Sequence, residues 1–159
     1  MANQLLLCTT LISSIIIGSS SASSVEFGTS DEAKTMIARA VQEVRADKSR
    51  AVKMFNHNEG AFRDRDLFVF CFNGSDGRFT AHEAMIGSDV RALRDRRGND
   101  YGAAMFQKAA EDRITEVGYM SPVPGSTAQN PKRAYVIRVG DQVCGVSAYL
   151  APDEPLPPR

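Results

Sequence analysis

Residues Leu67–Phe72 (LFVFCF) carry no polar side chain on either of their alternating faces. Successive side chains of a strand point to opposite sides, so Phe68, Phe70 and Phe72 need cover on one side and Leu67, Val69 and Cys71 on the other. A strand of this kind belongs inside a sheet, with material packed on both faces. The following residues, Asn73-Gly74-Ser75-Asp76-Gly77, include types that tolerate positive φ, and Arg78–His82 reads as a returning strand. The segment is therefore a β-hairpin that delivers His82, a potential ligand contact, at its end.

Before the hairpin, Thr29-Ser30-Asp31-Glu32 is a capping box, a hydroxyl with a carboxylate three residues later. A long helix is expected from there, because Ala33, Ile37, Ala40, Val41, Val44, Ala51, Val52 and Phe55 recur at three- and four-residue steps. Gly60 closes that region. After the hairpin, Ile86–Leu93 reads as a short helix, Arg94–Asp100 as a charged connection, and Tyr101–Ala110 as a second short helix. Ile114–Met120, Ala134–Val139 and Val143–Leu150 read as strands, the last two joined by Gly140-Asp141. The order predicts an α+β domain over residues 29–150 on an antiparallel sheet, followed by a Pro-rich tail (151–159) expected to be disordered.

The first charged side chain is Glu26. Before it, the apolar block Leu5–Gly18 and the small residues Ser19–Ala22 read as a signal peptide (1–22) cleaved near Ala22, which predicts a periplasmic or secreted product. The alternative, an uncleaved anchor, is disfavoured because the block is shorter than the roughly 20 residues needed to span a bilayer. The 19 basic and 19 acidic side chains balance, so no bulk field favours nucleic acid or anionic lipid. Two cysteines, Cys71 and Cys144, would enter an oxidising compartment, where pairing is expected. Two buried thiols or a metal pair are the alternatives, and two cysteines without nearby histidines make a poor zinc set.

Enzyme chemistry finds little support. His57 and His82 are the only histidines, and neither zinc spacing, a phosphate-cradling loop nor a nucleotide fingerprint accompanies them, so no catalytic residue, cofactor or metal is expected. Arg91, Arg94, Arg96 and Arg97 interleave with Asp89, Asp95 and Asp100 and lack aromatic partners for stacking, which reads as a solvated surface.

Taken together, the leading helix, Asp66–Phe70, Asp76–His82, Gly87–Val90, Asp95–Gly98, Val117–Tyr119, Pro131–Val136 and Val146–Tyr149 resemble a single Cache domain of the second type, a PAS-like extracytoplasmic sensor module. The resemblance spans about residues 30–150. It implies a five-stranded sheet of order 2-1-5-4-3, which sets the Cys71 strand beside the Cys144 strand. It also implies a pocket between the sheet and the mid-chain helices that takes a small organic acid, a membrane-bound signalling partner, and a homodimer through the leading helix. The chain departs from the family in having Glu83 where proline is frequent after the histidine, and no output domain is expected after Leu150.

A short carboxylate leaves water only if charged or strongly donating groups replace its hydration. His82, Lys132, Arg133 and Tyr119 are the expected donors, with Phe68, Phe70, Met85, Tyr101, Tyr135 and Tyr149 as walls. The expected function is an exported sensor or binding domain for such an acid; the rival is a ligand-free envelope protein that docks to a membrane partner.

Overall fold

Thr29 opens the first helix with both capping-box bonds in place: its hydroxyl accepts from the Glu32 N–H at 3.2 Å, and the Glu32 carboxylate accepts from the Thr29 N–H at 2.7 Å. The computed structural model describes residues 26–156, so the expected signal segment 1–22 lies outside the described residues. Helix α1 (Ser30–Ala46) buries Ala33, Met36, Ile37, Ala40, Val41 and Val44 on one face. The single long helix expected through Phe55 is broken at Asp47, which is extended (φ −159°, ψ 100°) and caps α2 (Lys48–Asn56) by accepting from the Arg50 N–H at 2.9 Å. The short Asp carboxylate competes for backbone amides, and here that competition ends one helix and starts the next.

Six strands follow: β1 (Arg63–Asp64), β2 (Leu67–Asn73), β3 (Phe79–Ala81), β4 (Thr115–Pro122), β5 (Gln129–Val139) and β6 (Gln142–Tyr149). All pair antiparallel, in the order β1-β2-β6-β5-β4, with β3 on the same side of β2 as β1. Apart from the two-residue β1, this is the expected five-strand order, and β2 lies inside the sheet as its double-sided apolar run requires. Gly77 (φ +75°) makes the turn of the β2–β3 hairpin, where its N–H donates to the Asn73 carbonyl. The expected helix at Ile86–Leu93 is only a 3-10 turn at Val90–Ala92, and the next helix, α3, covers Tyr101–Lys108.

The two faces of the sheet carry separate cores. Leu67, Val69 and Cys71 of β2, Tyr135 and Ile137 of β5, and Cys144, Val146 and Ala148 of β6 pack beneath α1 and α2. Phe70, Phe72, Ala134, Val136 and Val143 pack on the other face with Phe79, Val90 and Met105, roofed by the 3-10 turn and α3. Cys71 and Cys144 sit directly opposite in the β2–β6 register, with Cα atoms 4.0 Å apart, and form a disulfide that is fully buried under α1.

Residues 151–156 of the tail follow β6. Glu154 accepts hydrogen bonds from the Arg133 guanidinium at 2.8 Å and from the Ser30 hydroxyl at 2.9 Å, which straps the chain across the α1 face. Residues 157–159 lie outside the described residues.

Candidate functional site

Strand periodicity decides which of the expected residues can meet. On the roofed face, β2 presents Phe68 and Phe70, β4 presents Val117, Tyr119 and Ser121, β5 presents Lys132 and Ala134, and β6 presents Ser147 and Tyr149. Residues one step along point the other way. Phe68, Phe70, His82, Met85, Tyr101, Tyr119 and Lys132 therefore line one hollow of about 200 Å³, together with Phe79, Leu93, Met105, Ser121 and Ser147. That volume corresponds to roughly six or seven waters, small for a ligand site.

Two expected site residues, Tyr135 and Arg133, lie away from this hollow. Tyr135 is fully buried on the opposite face, under α1, with the Lys34 ammonium 5.2 Å from its ring centre. Arg133 shares that face, bonded to Glu154 and the Pro155 carbonyl, with Glu116 3.4 Å from its Nε. Both sit an odd number of steps from Lys132, so the register that brings Lys132 into the hollow excludes them. Tyr149 lies beside the hollow, its ring 4.3 Å below the Lys132 ammonium.

His82 follows β3 and is fixed from two directions. The Asn56 side chain, at the end of α2, accepts from the His82 N–H at 3.2 Å and donates to the Thr80 carbonyl at 3.0 Å. It thereby clips the outer edge of β3. The His82 Nδ1 accepts from the Ala84 N–H at 3.0 Å, which leaves the proton of the neutral ring on Nε2. The ring is wedged edge-on against Phe79 and Phe68, with centroids 4.8 and 5.3 Å away. Burial in this aromatic nest lowers the His82 pKa, against a smaller opposing pull from Glu83.

Asn56 was visible in the sequence only as part of a helix end, and its positioning role depends on α2 reaching β3. Asn56→Ala removes both bonds and is expected to lower stability by about 1–2 kcal/mol, read by urea denaturation. The depressed His82 pKa has a consequence of definite sign. In the window below about 6.5 the unfolded chain binds the proton that the folded one refuses, so stability is full above that pH and declines as the pH falls through it. His82→Gln is expected to flatten the slope of stability between about pH 7 and 5, measured by denaturation at stepped pH.

In the same lining, Lys132 is nine-tenths buried, and burial lowers its pKa against the raising effect of Asp66, whose Oδ2 lies 3.6 Å from Nζ. Tyr119 stacks on Tyr101 with centroids 4.2 Å apart and planes within 6°. Desolvation raises the pKa of both phenols, so both hydroxyls stay protonated donors. The hollow thus has aromatic walls, with a buried cation and a neutral imidazole donor among its lining residues.

A larger hollow, about 350 Å³, lies between α3 and the outer edge of β4 and includes Asp95, Arg97, Tyr101, Met120 and Leu156. Its one buried carboxylate is fully engaged. Asp95 accepts from the Arg97, Asn99 and Met120 N–H groups and from the Asn99 side chain, at 2.8–3.1 Å. Burial would raise its pKa, but these bonds outweigh it and hold the carboxyl below its ordinary value. Asp95 therefore pins the 95–99 loop to the sheet edge and has no free lone pair to offer. Among the described residues no group of three or more His, Cys, Asp or Glu side chains could hold a metal ion.

The fold has solved counterparts. A methyl-accepting chemotaxis protein from Vibrio parahaemolyticus superposes with a TM-score of 0.55 at 23% identity, over 75% of this chain and 86% of that one. The periplasmic sensor domain of a chemotaxis protein gives a TM-score of 0.55 at 19% identity, over 76% and 90%. The chain shares the α+β fold of these two chemotaxis-protein structures. No protein-family model and no curated protein sequence matches it. The hollow sits between the sheet and the roof formed by the 3-10 turn and α3.

Proposed function

We propose that this is an extracytoplasmic sensor domain that binds a short organic carboxylate in the hollow between Lys132 and His82 and passes its occupancy to a membrane-bound signalling partner. The observation that carries the reading is the presence of two donors in the lining of one small aromatic cavity. Lys132 supplies charge, and the His82 Nε2–H has no acceptor among the described residues. A carboxylate spanning them exchanges its hydration for a charge-assisted contact and a neutral hydrogen bond, with its short apolar part against Phe68, Phe70 and Met85. The buried disulfide and the two periplasmic or chemotaxis neighbours in fold support an extracytoplasmic setting.

A ligand of about six heavy atoms is limited to roughly −9 kcal/mol at the best efficiency, so micromolar affinity is the expectation. Calorimetric titration of C2 to C4 monocarboxylates into the purified domain tests this. Lys132→Met and His82→Ala are each expected to weaken the best acid by about tenfold or more, whereas Arg133→Gln, on the opposite face, leaves it unchanged. Full retention of affinity in both pocket variants would refute the assignment.

A further inference from the structure

The Lys132–Asp66 pair is poorly made for a buried ion pair. Its 3.6 Å separation exceeds the 2.7–2.9 Å of a good charge-assisted bond, and the buried Asp66 Oδ2 accepts no hydrogen bond among the described residues. A buried carboxylate oxygen without a donor is destabilising, so the pair is held by packing more than by its own bond. Lys132 also forms part of the wall between two spaces: it lines the ligand hollow and an adjoining cleft whose lining includes Phe27, Arg63, Asp66 and Glu83.

Two contacts run from this point to the segment that enters α1. The other Asp66 oxygen, Oδ1, accepts from the Gly28 N–H at 2.7 Å. The Tyr149 ring under the Lys132 ammonium also packs on Phe27, with centroids 4.7 Å apart. Gly28 is tightly seated, since a Cβ there would lie 2.2 Å from the Leu67 side chain, so a change at Asp66 has little slack to absorb it.

We propose that Asp66 is a tethered counter-anion that competes with the ligand for Lys132 and, through Gly28, couples occupancy of the hollow to the entry of α1. This rests on the carboxylate reading of the hollow. An arriving carboxylate draws the ammonium toward itself and places a second negative charge near Asp66, whose one remaining bond among the described residues is to Gly28. Asp66 thereby lowers the affinity of the site for anions and links binding to the backbone just ahead of the Thr29 cap.

The test titrates acetate, propionate and butyrate into the wild-type domain and into Asp66→Asn, by calorimetry and by amide NMR. The isosteric amide keeps an acceptor for Gly28 while removing the charge. The expected result is about tenfold or tighter binding in Asp66→Asn, since the charge it removes lies within a few ångströms of the ligand. In the wild type, the Gly28 amide signal is expected to shift along the binding curve. Binding by the variant alone also supports competition. If both proteins bind but the variant is no tighter, or the wild-type Gly28 signal stays fixed at saturation, the coupling is overturned and the ligand site stands. If neither binds any of the three acids at about 10 mM, the carboxylate reading itself fails and the inference falls with it.

Discussion

Replacing Cys71 and Cys144 together with alanine is expected to lower the stability of the domain by about 2–5 kcal/mol. The bond joins strands β2 and β6 across a sequence separation of 73 residues, and opening a loop of that length returns roughly 4 kcal/mol of chain entropy to the unfolded state. Both cysteines are fully buried beneath α1 among Ile37, Val69 and Val146, so the substitution also leaves a small void where the sulfurs were. For a domain of this size the loss corresponds to a fall of about 10 °C in midpoint temperature. Guanidinium denaturation of the oxidised protein, the reduced protein and the alanine pair reads the effect directly. Coincident midpoints for oxidised and reduced protein would show that the bond contributes nothing.

Gly102→Ala is expected to be of similar severity and to act on the site. A Cβ at Gly102 would lie 1.8 Å from the Val90 carbonyl oxygen and 2.8 Å from the Leu93 Cβ. The obstacle is backbone, which has no rotamer to yield, and the Gly102 N–H donates to the Leu93 carbonyl at this same crossing. Helix α3 and the 3-10 turn can then meet only by separating, at about 3 kcal/mol or more, which is above the ordinary range for one added methyl group. These two elements are the roof of the hollow, bringing Leu93, Tyr101 and Met105 over it. Carboxylate binding is therefore expected to fall with stability. Thermal unfolding together with calorimetric titration checks both effects; an unchanged melting temperature would contradict the close packing on which the roof depends.

Much of this architecture was legible because it rests on local rules. The uninterrupted apolar run Leu67–Phe72 demanded a two-faced interior strand, and the Thr29–Glu32 box announced α1 by the bonds it later makes. The break at Asp47 escaped because apolar spacing continues across it, while the deciding interaction is the capping bond to Arg50. Site residues divided by register. Lys132 and Arg133 are equally basic neighbours, and only their pairing partners in β4 and β6 tell which one faces the hollow. The same parity carried Tyr135 into the α1 core. Asn56 and Asp66 were missed as site-positioning residues for a different reason. Each acts through contacts to residues distant in sequence, Asn56 to Thr80 and His82, Asp66 to Gly28 and Lys132, and no spacing rule anticipates those.

The central claim is that a donor pair in one aromatic hollow receives a small carboxylate, and the two histidines allow a direct measurement of it. His82 lines the hollow, whereas His57 caps the end of α2 with most of its side chain in solvent. Imidazole nitrogen NMR during a propionate titration at pH 7.5 should move the His82 Nε2 signal saturably, with a midpoint in the micromolar range, and leave His57 in place. A His82 signal that stays fixed, or one that drifts in step with His57, would contradict the account.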